Sequence, residues 1–143
     1  MTPVTRGLVA GGVVVLVLVV ATSVTSSWWN RHAPALVAAS QAALAAGRHF
    51  GQTASAAQCV DEVLRQRAAT PRTSAATLAQ RSFLQGCIVV SPTGTALCPR
   101  AAADGPVPDA RWLVELCEAR RADRGCPDVL RPLAQFCIGR SPS

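Results

Sequence analysis

The sequence predicts an all-α protein, in which an N-terminal transmembrane or signal helix precedes a small disulfide-stapled bundle of four to five helices. Three observations predict it. A Val-rich apolar run stands near the amino terminus, the stretches after it repeat apolar residues at helical spacing, and all six cysteines lie downstream of the run. An even cysteine number in a small domain reads as a disulfide framework, which oxidising compartments permit and the cytoplasm does not. The expected division is residues 1–29 as a membrane anchor or uncleaved signal segment and residues 30–143 as an extracytoplasmic Cys-rich domain.

The apolar segment has no polar residue from Leu8 to Ala21 and fades through Thr22, Ser23, Val24, Thr25, Ser26 and Ser27, behind a head that carries Arg6. A signal core needs about 7 to 15 apolar residues and a spanning helix about 20. The uninterrupted run fits the first, and Leu8 to Ser27 fits the second. Ala21-Thr22-Ser23 is a small-x-small substitute for a cleavage site. Trp28 and Trp29, followed by Arg31 and His32, suit an interfacial aromatic belt and a polar stop, and they favour the anchor. Arg6 against Arg31 gives little charge bias, so it is the cysteines that place the amino terminus inside and the bulk outside.

Residues 34–46 are Ala-rich, with Leu36, Val37, Ser40 and Leu44 on one face. Gly47 stands where a left-handed C-terminal cap is favoured, and Pro34 at a first turn implies a bend near Arg31 to Ala33. Ser55-Ala-Ala-Gln58 is a capping box opening a helix with Ala56, Cys59, Val60, Val63 and Leu64 on one stripe. Thr70-Pro71-Arg72-Thr73 breaks that helix. A third helix, residues 74–90, aligns Ala76, Ala79, Phe83, Cys87 and Val90. Pro92, Gly94, Pro99, Gly105, Pro106 and Pro108 make residues 91–108 an irregular crossing tied down by Cys98. Asp109 caps a helix with Leu113, Leu116 and Cys117 inward and Arg120, Arg121 and Arg124 at its negative pole. Pro127 opens the last helix, with Leu130, Leu133, Ala134, Cys137 and Ile138 inward.

Helix register selects among the fifteen pairings six cysteines allow. Cys59 lies roughly eleven residues before the Thr70 to Thr73 turn and Cys87 roughly thirteen after it, so at about 1.5 Å per residue the two come level. Cys117 ends one helix and Cys126 precedes the next, whereas Cys117 and Cys137 would be roughly 9 Å out of step. The expected pairs are Cys59 with Cys87 and Cys117 with Cys126, which leaves Cys98 with Cys137.

The chain contains no lysine and no tyrosine, and arginine fills every basic position. GC-rich coding produces the same usage, so the net charge of +6 by itself says little about an anionic partner. Without lysine there is no P-loop, no Schiff base and no Ser-Lys nucleophile pair. The hydride-transfer, nucleophile-elbow and zinc-protease signatures are likewise missing. The most closely spaced neighbouring cysteines, with eight, ten and ten residues between them, lack the close pair of a structural zinc site or thiol oxidoreductase. The sequence therefore predicts no catalytic residue, no metal and no cofactor. His49 lies in the Gly47 to Gly51 stretch with no acidic neighbour in sequence to orient its ring.

Arg111, Arg120, Arg121, Arg124 and Arg131 are the candidate face for anionic contact, with lipid headgroups or an acidic partner. Interleaved with Glu115, Glu118, Asp123 and Asp128, they equally describe a solvated face that complements a helix dipole. Nucleic acid is not expected, because no aromatics interleave with the arginines.

Leu44-Ala45-Ala46-Gly47-Arg48-His49, followed by Ala54, resembles the turn and small helix-B residue of a tetratricopeptide-type hairpin. The resemblance covers a dozen residues, and no second unit follows, so that family's peptide-binding role is not carried over. The spacings of twin-cysteine mitochondrial hairpins and of saposins are not met. The expectation for function is a bacterial envelope protein, single-pass with its C-terminal domain outside the cytoplasm, or periplasmic or secreted if the segment is cleaved. Its braced domain is expected to act as a protein-interaction or assembly module, with another envelope protein as partner. The alternative is an enzyme of unfamiliar type using His49 or a labile bridge.

Overall fold

The computed structural model describes residues 3–98 and 111–139. The expected Asp109 cap and the part of the crossing with Pro99, Gly105, Pro106 and Pro108 lie outside the described residues, as do the side chains of Arg6 and His32. Five α-helices and a 3-10 turn, with no strand, make up the described residues: α1 (Pro3–Gly51), α2 (Ala56–Ala69), α3 (Ser74–Val90), the turn Gly94–Leu97, α4 (Arg111–Ala119) and α5 (Cys126–Ile138). The chain forms two compact units, Met1–Val37 and Ala38–Ser143.

In the first unit α1 is apolar on every side, and all eight residues from Val13 to Val20 are exposed. The hydroxyls that follow do not interrupt it. Thr22 donates to the Leu18 and Val19 carbonyls, Ser23 to Val19, Thr25 to Ala21 and Ser26 to Ser23, at 2.7 to 3.1 Å. Two sequence expectations fail along this helix. Pro34 lies inside α1, not in the first turn of a separate helix after a bend. Ala33, Ala35, Ala38 and Ala39 around it are the best helix formers and carry the backbone through. Gly47 does not end the helix, which continues to Gly51.

The reason Gly47 is a glycine appears in the second unit. A Cβ at Gly47 would fall on the Phe83 carbonyl oxygen, one at Gly51 on the Cys87 carbonyl oxygen, and one at Gly86 on the Leu44 carbonyl oxygen. Three glycines thus let the end of α1 lie backbone to backbone against α3. The Phe50 and Phe83 rings, 5.9 Å apart, close one side of the crossing.

The expected capping box forms at α2: Ser55 Oγ accepts from Gln58 N at 3.2 Å, and Gln58 Oε1 accepts from Ser55 N at 2.7 Å. Thr73 caps α3. The segment after α3 folds back over the start of α2, where Thr93 Oγ1 accepts from Ala56 N and Ser91 Oγ donates to the Ala54 carbonyl. In α5, Pro132 supplies no N–H to the carbonyl of Asp128. Arg81 on α3 supplies the donor instead, its Nε 2.7 Å from that oxygen.

The core gathers Val60 and Val63 of α2, Leu84 and Ile88 of α3, and Val129, Leu130 and Leu133 of α5, all essentially free of solvent. Each such side chain contributes about 1.5 to 3 kcal/mol on burial. Because α3 is packed by α1, α2 and α5, it buries Leu84 and Ile88 as well as Phe83 and Cys87, while Val90, expected inward, is exposed. Ile138, also expected inward, is exposed at the last residue of α5, and Val129 takes its place on the stripe of Cys126, Leu130, Leu133 and Cys137. Disulfides join Cys59 to Cys87, Cys98 to Cys137 and Cys117 to Cys126. Two are the pairs that helix register selects, and Cys98–Cys137 is the pair those two leave.

Candidate functional site

Where α2 ends beside the turn from α4 to α5, a groove of about 490 Å³ opens, lined by Asp61, Arg65, Arg67, Arg72, Arg120, Arg121 and Asp123 among others. Its organising residue is Asp123. Arg67, only 12% exposed, donates from Nε to Asp123 Oδ1 at 2.8 Å, and Arg72 reaches Oδ2 at 3.1 Å. The Gly125 N–H closes the ring on Oδ1 at 3.2 Å. A Cβ at Gly125 would fall on the Arg67 guanidinium, so that glycine makes the seat in which Arg67 lies. Across the groove Arg120 Nε binds Asp61 Oδ1 at 2.6 Å, and Arg65 makes a bidentate pair with Glu62.

Arg121 enters the groove from an unusual backbone. Ala122 N–H reaches the Cys117 carbonyl and Arg121 N–H the Glu118 carbonyl, the two bonds of a Schellman cap. The cap places Arg121 at the left-handed position, with φ of 52°. Glycine is the residue favoured there, and a side chain costs about 1 to 2 kcal/mol. The Arg121 side chain is exposed and makes no hydrogen bond or ion pair among the described residues.

Of the sequence-nominated face, Arg120 and Arg121 line this groove. Arg131 instead pairs with Asp128 at 3.3 Å, and Arg111 and Arg124 are exposed on α4 and in the turn. Arg65, Arg67, Arg72 and Asp61 were not nominated. They come from α2 and, for Arg72, from the turn after it, about fifty to sixty residues earlier, and the only sequence signal for them is Asp123 two residues before Gly125, a turn that offers its carboxylate to a donor from elsewhere. His49 is exposed on α1 and has no acidic partner among the described residues. No group of three or more His, Cys, Asp or Glu side chains is arranged to hold a metal among the described residues.

The hydrogen bond from Arg67, followed by the charges of Arg67 and Arg72, holds the Asp123 carboxyl below the ordinary carboxylate range against the opposing effect of burial. A depressed carboxylate stabilises the folded state fully above its unfolded pKa near 4 and loses that contribution as pH falls through the lower folded value. We expect Asp123→Asn to cost about 1 kcal/mol at pH 7 in a denaturant melt of the oxidised chain. The deficit should shrink as pH falls through the depressed value of the folded parent, where the parent becomes protonated too. A deficit unchanged by pH would mean that shape, not charge, holds the turn.

Comparison of the chain with protein-family models, curated proteins and solved structures finds no match in any of the three.

Proposed function

We propose that this chain is an envelope protein, anchored by the apolar part of α1 or exported with it, whose disulfide-braced domain is a protein-interaction or assembly module outside the cytoplasm. The observation that carries it is the solvent-facing apolar surface of α1 from Val13 to Val20, continued by hydroxyls that satisfy themselves on their own helix. In hydrocarbon every polar group must find its partner within the segment. Donation to the carbonyls three or four residues back lets residues 22–26 sit there beside the valines. At about 1.5 Å per residue, Leu8 to Ser27 then measures about 30 Å, the thickness of the apolar layer. Trp28 and Trp29, more than half exposed, follow where the interface would be.

The domain supports the second half of the proposal. Three bridges in one small unit leave no free thiol, the state expected where glutathione does not reach. It carries a charged groove with open guanidinium donors, suited to holding a partner rather than to reacting with one.

In a bacterial host the full-length chain is expected to remain in carbonate-washed membranes and to take up six thiol labels only after reduction. In-cell cross-linking is expected to move it into a discrete heavier band. A soluble full-length chain labelled without reduction would overturn the location, and a chain that stays monomeric under cross-linking would overturn the module.

A further inference from the structure

The geometry points to the groove between α2 and the α4–α5 turn as a docking site for an acidic peptide segment of a partner protein, read by the Arg67, Arg72, Arg120 and Arg121 guanidiniums. This deepens, and rests on, the interaction-module proposal. Five arginines face two aspartates in the lining, so the site carries a positive surplus even with every aspartate ionised. Among the described residues, Glu62 offsets only Arg65.

The two aspartates position the cations more than they neutralise them. Arg120 spends its Nε on Asp61, and neither of its terminal nitrogens has a partner among the described residues. Arg72 reaches Asp123 through one terminal nitrogen and is otherwise exposed. A guanidinium anchored through one edge presents the other as a planar two-donor fork, the shape a carboxylate fills bidentately.

Arg121 supplies an independent argument. A Schellman cap asks for glycine at this position, and the chain instead holds an arginine there, at a backbone cost and with no partner among the described residues to offset it. A strained cation with no internal partner, set at the edge of a groove already rich in cations, is explained by a ligand from outside.

The probe is a dye-labelled octaglutamate peptide, with octaglutamine as its neutral counterpart, binding to the purified oxidised full-length chain in a neutral detergent. Octaglutamate is expected to bind in a salt-sensitive way, and octaglutamine not to bind. Arg121→Gly should weaken binding about fivefold while raising the melting temperature by about 4 °C, because strain is removed. A misfolded variant cannot produce that opposite pair of shifts. Gly125→Ala, which keeps every charge but unseats Arg67, should weaken binding about threefold, and Arg131→Gln, outside the groove, should leave it unchanged.

Equal losses for Arg121→Gly and Arg131→Gln would mean diffuse charge and overturn the site. Tighter binding of glycerol phosphate than of octaglutamate, sensitive to the same variants, would assign the groove to lipid headgroups and overturn the peptide. A chain that cross-links in cells yet ignores octaglutamate leaves the module standing and removes the groove. One that binds octaglutamate yet stays monomeric in cells does the reverse.

Discussion

Gly47→Ala is expected to destabilise the second unit by about 2 kcal/mol and to lower its melting temperature by about 10 °C. Two effects oppose each other. Alanine is a better helix former than glycine by about 1 kcal/mol, and on an open helix the substitution would stabilise. Here the new Cβ meets the Phe83 carbonyl oxygen, with the Phe83 carbonyl carbon and Cα close behind. All three are backbone atoms of α3, so no rotamer change clears the space and the two helices must separate. Overpacking of this kind costs about 1 to 3 kcal/mol and sometimes more, which outweighs the propensity gain. Gly86→Ala strikes the same crossing from the other side, at the Leu44 carbonyl and the Arg48 amide. The double variant should therefore cost less than the two single losses added together. Ala46→Gly, at an exposed neighbour, should lose about 1 kcal/mol through propensity alone. A thermal melt in which Gly47→Ala is more stable than the parent would mean that α1 ends before the crossing, as its sequence suggests.

That glycine also marks where sequence reasoning stops. Locally, an Ala-rich helix followed by Gly is the signature of a C-cap, and nothing near Gly47 says otherwise. The residue serves a contact with Phe83, thirty-six positions away, and lack of a side chain suits both purposes equally. Both ends of α2 and the start of α3 were legible because their signals are local: a Ser55 to Gln58 box and a break at Thr70-Pro71-Arg72-Thr73. Two disulfide pairs were legible because rise per residue and turn position bring their sulfurs level, and the third, Cys98 with Cys137, was what remained. The groove was half legible. Arg120 and Arg121 stand together in sequence and were grouped with Arg111, Arg124 and Arg131, whereas space groups them with Arg67 and Arg72 through Asp123. Sequence proximity is a poor guide to a charged cluster when long arginine side chains reach across helices.

Among the bridges, deleting Cys59–Cys87 as the double alanine variant is expected to be the most damaging, at about 5 kcal/mol. Chain entropy alone would rank the bridges by loop length. Separations of 39, 28 and 9 residues correspond to about 3.9, 3.6 and 2.6 kcal/mol. The first two differ by only about 0.3 kcal/mol on that basis, less than the packing each bridge supplies. Cys59 and Cys87 are both without solvent exposure, beneath the α1 crossing and inside the core, while Cys98 is partly exposed. Emptying the buried pair adds cavity cost of a kcal/mol or more to the entropy, so burial, not loop length, decides the order. A domain of this size has about 5 to 15 kcal/mol in hand, and the variant should be largely unfolded at 37 °C. Denaturant midpoints of the three double-alanine variants test the ranking, and a Cys98–Cys137 deletion that proves worst would return the argument to entropy. The shortest bridge has the smallest cost but encloses Arg120, Arg121 and Asp123. Its removal should therefore weaken octaglutamate binding more than its effect on stability implies. Complete reduction removes all three constraints together. If the reduced chain melted within about 1 kcal/mol of the oxidised one, the bridges would not be what holds this domain, and the case for an oxidising compartment would lose its energetic basis.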